Sequence, residues 1–184
     1  SAVGLPRPLC RMKQRLAEFE RFRLVGEAFT RFSAEFEFIA ETGDLSRTPE
    51  IARLITSYNK VAGVYFWTAA VKDAEYKVYA GKTNSLGYRL VNYTAPFQPH
   101  SPNDFKLLVF RAFLQEVAPE SALRVYFKRV AETELTTEEN RVIGAYRPLL
   151  NIPRPATPEA KRQLQAAFAA YYRSSFEGVL GNAA

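Results

Sequence analysis

The chain has 184 residues, 47% of them hydrophobic, with one cysteine, one histidine and a net charge of +6. That length and apolar content suit one domain with a full core rather than a disordered chain. One cysteine excludes an internal disulfide framework and a cysteine-based zinc cluster, and one histidine argues against a His-rich metal site. No apolar run approaches the ~18–20 residues of a bilayer span, and no secretory leader is evident. A cytoplasmic protein is expected, with a polyanionic partner favoured by the basic balance.

In chain order, residues 11–22 predict a helix with Met12, Leu16 and Phe19 on one side. A clearer helix is expected over 27–41, where Phe29, Phe32, Phe36 and Ile39 recur at helical spacing and Gly43 ends the run. Such a stripe marks a packing face rather than a stacking platform. The third helix has a full start signal, with Thr48 as N-cap, Pro49 at the first helical position and Glu50 after it.

The character then changes. Residues 63–69 are aromatic and β-branched, as a strand requires, and a polar connection from Lys72 to Glu75 leads to a second strand, Tyr76 to Gly81. The pair reads as a hairpin. Asn84 or Ser85 caps a short helix reaching about Tyr93. Pro96, Pro99 and Pro102 then enforce a loop around His100. Residues 104–117 read as a helix, although a run so apolar also fits a strand. Leu123 to Val130 predicts a third strand, Thr136 to Tyr146 a helix closed by Pro148, and Thr157-Pro158-Glu159 the cap of a C-terminal helix.

The Thr136–Tyr146 helix carries a charge on its apolar side. On a wheel of about 100° per residue, Val142, Ile143 and Tyr146 define that side, with Glu139 in its middle and Glu138 turned toward solvent. A carboxylate aimed at a core costs several kcal/mol unless it is paired or holds a cation. Two readings stay open. Thr136-x-x-Glu139 has the spacing of a capping box, and the same carboxylate suits a metal or active site.

Order and spacing extend the second reading. Gly63-Val64-Tyr65, Tyr79-Ala80-Gly81, Arg89, Glu139 and Asn151, in that order, resemble the signature of the GIY-YIG nuclease family. YAGKTNSLGYRL is similar to the family's Tyr-x-Gly-Lys segment and Arg-bearing helix. ENRVIGAYRPLLN resembles its Glu-helix, Tyr-x-Pro turn and terminal Asn. The resemblance implies an α/β (α+β) fold: a small three-stranded antiparallel sheet flanked by helices. It places the nuclease core at 61–152, with an N-terminal helical extension over 1–60 and a C-terminal helix over 153–184. Gly87 departs from the pattern by sitting inside the Arg-bearing helix, at a cost of about 1 kcal/mol relative to Ala.

For chemistry, the resemblance implies a DNA endonuclease dependent on Mg²⁺ or Mn²⁺. Glu139 is then the single protein ligand of the metal, and Arg89 a planar clamp for phosphate oxygens. Tyr65 and Tyr79 face one groove, with Gly81 admitting close approach, and one of the two activates or positions the attacking water. A free phenol ionises near pH 10. Lys82 and the metal are expected to favour phenolate. Tyr93 joins the water network. Asn151 orients groups near the metal, or is an ordinary turn residue after Pro148. Arg11, Lys13 and Arg15 are expected to add phosphate contacts. His100, Lys106 and Arg111, on residues 95–111, are expected to influence which DNA is cut, since recognition is commonly built on loops. His100 as a solvated loop residue is the plainer alternative. A site-specific, restriction- or homing-like enzyme is the leading form. A structure- or single-strand-selective repair or recombination nuclease, a nuclease toxin or effector, and a catalytically inactive DNA-binding module are the alternatives.

Overall fold

The computed structural model describes residues 19–97 and 104–151. At its centre is β3 (Gly63–Val71), paired antiparallel with β4 (Ala74–Thr83) on one side and β5 (Ala122–Arg129) on the other. β3 is buried from Gly63 to Ala69. Helices cover both faces of the sheet, which explains an apolar run without polar alternation. The β3–β4 turn is Lys72–Asp73, with Lys72 at φ 54°.

Two further strands come from the N-terminal third. β1 (Arg23–Leu24) pairs with the start of β4, and β2 (Glu37–Thr42) pairs with β5. The sheet is therefore five-stranded, in the order β1-β4-β3-β5-β2. The three strands expected from the sequence form its middle, and the expected count of three is corrected by both flanks. The reason is the helix expected over 27–41. Only α1 (Gly26–Glu35) is helical, and Phe36 already has extended backbone at φ −116°, ψ 129°. Phe32 and Phe36 stack at 5.0 Å in one aromatic cluster, whereas Ile39 and Ala40 pack on the opposite face of the sheet. A bulge at Ile39 lets both of those residues face inward. Likewise, the described end of the helix expected over 11–22 is a 3₁₀ turn, Phe19–Phe22, leading into β1. Residues 11–18 of that helix and the C-terminal helix lie outside the described residues.

The remaining helices are α2 (Pro49–Ser57), α3 (Leu86–Tyr93), α4 (Phe105–Val117) and α5 (Leu135–Tyr146). Thr48 caps α2 through Ile51 N–H at 3.2 Å, and Ser85 caps α3 through Tyr88 N–H at 3.3 Å. α2, α3 and α4 cover the Tyr65–Trp67–Ala69 face of β3. α1 and α5 cover the Val64–Phe66 face with Phe32, Val142 and Tyr146. Gly87 earns its place on α3. A Cβ there would sit 2.2 Å from the Ile55 carbonyl oxygen, so the glycine lets α3 cross close to the end of α2.

A second bulge shapes β4. Tyr79 lies opposite Trp67 and Lys77 opposite Thr68, leaving Val78 as the extra residue. Tyr79 and Gly81 therefore share the face of Trp67 and Tyr65. The start of β4 is stapled by Glu75, which is 7% exposed and accepts from Thr68 Oγ1 (2.6 Å), Tyr126 Oη (2.7 Å) and Arg124 Nη1 (3.1 Å). Buried carboxylates persist only with such partners.

Two glycines give opposite expectations. At Gly63 a Cβ would lie 2.1 Å from the Lys128 carbonyl oxygen, whereas at Gly144 nothing among the described residues lies within 4 Å. Gly63→Ala is expected to lower stability by about 3 kcal/mol. Gly144→Ala, in the exposed last turn of α5, is expected to raise it by up to ~1 kcal/mol. Urea unfolding of both variants measures the contrast.

Candidate active site

The C-terminal half of β4 is the platform. Among the described residues β1 reaches only Glu75 and Tyr76, so beyond them no strand covers the outer edge of β4. Side chains satisfy it instead. Asn151 donates from Nδ2 to the Ala80 carbonyl at 2.8 Å and accepts the Ala80 N–H on Oδ1 at 2.7 Å. Two residues on, Glu139 Oε1 accepts the Lys82 N–H at 3.1 Å. Asn151, in the 3₁₀ turn Leu149–Asn151 after α5, thus takes the part of a strand residue as well as sitting in a turn.

On the face of β4 covered by α3, Tyr65 lies across Gly81. A Cβ on Gly81 would come 2.3 Å from Tyr65 Oη, so any larger residue displaces the phenol. Tyr65 Oη and Tyr93 Oη are 3.0 Å apart, and Arg89 Nη2 donates toward both at 3.1 Å. The same nitrogen donates to Asp104 Oδ1 at 2.8 Å, and Nη1 donates to Asn92 Oδ1 at 3.2 Å. The Arg89 guanidinium also lies over the Tyr93 and Tyr65 rings, 5.0 and 5.7 Å from their centroids. Arg89 is mostly buried in this cage; burial works against its charge, and Tyr65, Tyr93 and Asp104 outweigh it. Asp104 was not legible from the sequence as part of this cluster. An acid ahead of an apolar helix reads as a cap.

Glu139 reaches β4 from α5. The capping box does not form: α5 begins at Leu135 after a 3₁₀ turn, which puts Thr136 inside the helix. Thr136 Oγ1 instead accepts from Lys82 Nζ at 2.7 Å, and that ammonium stands 3.5 Å from Glu139 Oε2. Lys82 therefore pairs with the acid. Glu138 is not turned to solvent either. Its side chain is 17% exposed against 21% for Glu139, because it pairs with Lys128 at 2.6 Å and with Arg141.

Two tyrosines ionise less readily than an ordinary phenol, and for Tyr79 the direction is opposite to the lowering expected from Lys82 and a bound metal together. Burial, Tyr65 and the charges of Glu139 and Asp104 push Tyr79 up, against the pull of Arg89. Burial, then Tyr65 and Tyr79, push Tyr93 well above its usual value. Both stay protonated at neutral pH, and the Tyr93 hydroxyl is hydrogen-bonded to Tyr65 and Arg89.

Other candidates divide. Lys106 is half-buried on α4, and Arg111 is buried with Asp44 as a charged neighbour, so its guanidinium is not an open surface contact. Arg11, Lys13, Arg15 and His100 lie outside the described residues. Among the described residues no helix is long and apolar enough to cross a membrane, and no group of three or more His, Cys, Asp or Glu comes together. The chain matches no protein-family model, no curated protein and no solved structure.

Two outcomes test this geometry. Tyr79, Tyr93 and Tyr126 all ionise less readily in the fold than an ordinary phenol at 10.0, Tyr126 through burial and its bond to Glu75. Above that pH the folded chain holds more protons than the unfolded one. Stability is therefore full below about pH 10 and falls as pH rises further. Urea midpoints at about pH 8 and about pH 11 are expected to show the drop. Separately, Gly81→Ala is expected to cost about 2–3 kcal/mol through overpacking against the Tyr65 ring. Its unfolding free energy relative to wild type is the measurement.

Proposed function

We propose that the chain is a metal-dependent DNA endonuclease of the GIY-YIG type, hydrolysing phosphodiester bonds at the Tyr79–Lys82 stretch of β4. One observation carries this reading: three segments far apart in sequence meet on that stretch, and the helix that follows it adds an arginine to one of them. Asn151 binds Ala80, Tyr65 lies on Gly81, Glu139 binds Lys82, and Arg89 binds Tyr65. These are the residues singled out by the family resemblance.

The donor set suits Mg²⁺ or Mn²⁺. Glu139 Oε1 is fixed by a backbone N–H while Oε2 faces a position that tolerates positive charge, with Lys82 Nζ at 3.5 Å. One carboxylate suffices for a hard cation that keeps several waters and takes substrate phosphate as a further ligand. When bound, such an ion supplies charge neutralisation on the phosphate and stabilises the leaving oxygen. The chain's own groups do the rest. Arg89 holds the phosphate beside the Tyr65–Tyr93 hydroxyl pair. Tyr79 and Tyr93, kept protonated, orient water through their hydroxyls rather than taking its proton at neutral pH. Water adds to phosphorus, the bond to the leaving sugar oxygen breaks, and a proton ends on that oxygen.

Glu139→Gln is the cleanest variant, because its amide oxygen still accepts the Lys82 N–H while the charge is removed. It is expected to lower Mg²⁺-supported cleavage of plasmid, single-stranded or branched DNA by roughly a hundredfold or more. DNA affinity without metal should stay near wild type. Wild-type cleavage by this variant sinks the reading.

A further inference from the structure

The carboxylate of Asp104 does not do what its position invites. Asp104 directly precedes α4, where Asp is a preferred cap for free helical N–H groups. It has αR backbone, φ −65° and ψ −24°, and makes no side-chain cap bond. Its side chain is 5% exposed and bonds to Arg89 Nη2 at 2.8 Å, fifteen residues back in the sequence. The same nitrogen meets the hydroxyls of Tyr65 and Tyr93, while Arg89 Nε is buried with no hydrogen-bond partner among the described residues. A buried guanidinium can adopt several orientations, and a charged acceptor at one nitrogen selects among them.

We infer that Asp104 is a positioning residue of the phosphate site: it fixes the Arg89 guanidinium against the Tyr65–Tyr93 hydroxyl pair, so that a substrate phosphate meets an arginine already set. This rests on the nuclease reading above. Asp104 touches no reacting atom. It acts through Arg89, and its removal leaves the metal ligand and the β4 edge contacts in place. The loss therefore falls on turnover rather than on substrate binding, which removing a negative charge beside the phosphate site does not weaken.

The experiment compares Asp104→Ala and Asp104→Asn in steady-state cleavage and by NMR hydrogen exchange of the Arg89 Nε–H. Asp104→Ala is expected to lower kcat about a hundredfold with no rise in KM, the size of effect that misorientation brings. Asp104→Asn retains an acceptor oxygen and is expected to recover about tenfold of that loss. In an Arg89→Lys background Asp104→Ala is expected to cost less than about threefold more, because the two residues act as one unit. In both Asp104 variants the Arg89 Nε–H is expected to exchange faster than in wild type. Unchanged kcat, or a loss confined to KM, overturns the inference. If the wild type cleaves no DNA with any metal, the nuclease reading falls instead. The exchange measurement on the isosteric Asn variant then decides the positioning alone: faster exchange supports it, and unchanged exchange overturns it.

Discussion

Among the described residues no strand pairs with the outer edge of β4 beyond Tyr76, since β1 reaches only Glu75 and Tyr76, and the edge there is satisfied by side chains. Buried backbone N–H and C=O groups tolerate no vacancy. Asn151 and Glu139 fill the places of a strand at alternate residues, Ala80 and Lys82. That requirement draws the end of α5 and the turn after it onto the sheet. The same carboxylate that completes the edge is thereby held beside the tyrosines, with one oxygen committed to backbone and the other facing Lys82.

Placing α5 depends in turn on the opposite face of the sheet. Phe32, Phe36, Phe66, Tyr126 and Tyr146 meet there mostly edge to face. A ring of charge closes over them. Glu35 of α1 and Glu138 of α5 share Lys128 of β5 and Arg141, and Tyr146 Oη donates to Glu35 at 2.5 Å. Adjacent residues of α5 thus serve two purposes: Glu138 ties the helix to β5 and, through the shared cations, to α1, and Glu139 reaches β4. Because the helix is fixed by several partners, its one acid at the strand edge has a defined direction.

The other half of the site is organised by close approach and by charge pairing. Gly81 allows Tyr65 to cross β4, and the bulge at Val78 turns Tyr79 to the same side. Arg89 and Asp104 form a nearly enclosed pair at 2.8 Å, and Lys82 and Glu139 a more open one. A buried pair is weak evidence for stability, because desolvation offsets most of its attraction. Its value here is orientation, since Arg89 gathers two hydroxyls and a carboxylate from three separate elements.

Much of this was legible in the residues. The hairpin strands, the Thr48-Pro49 start of α2, the Ser85 cap of α3 and the mixed α+β class follow from local preferences that act over a few residues. The order of the tyrosines, Arg89, Glu139 and Asn151 also marked the side chains that converge. What local pattern could not decide was where one period gives way to another. Phe32, Phe36 and Ile39 fit a single helix as well as a helix followed by a strand, and only pairing with β5 separates them. Thr136-x-x-Glu139 fits a cap, until the preceding 3₁₀ turn moves the helix start to Leu135. The partner of Arg89, the pairing of Lys82 with an acid and the upward shift of Tyr79 depend on burial and on charges from distant segments. A linear sequence lists such groups but does not state their distances, and electrostatic and desolvation energies are set by distance and enclosure.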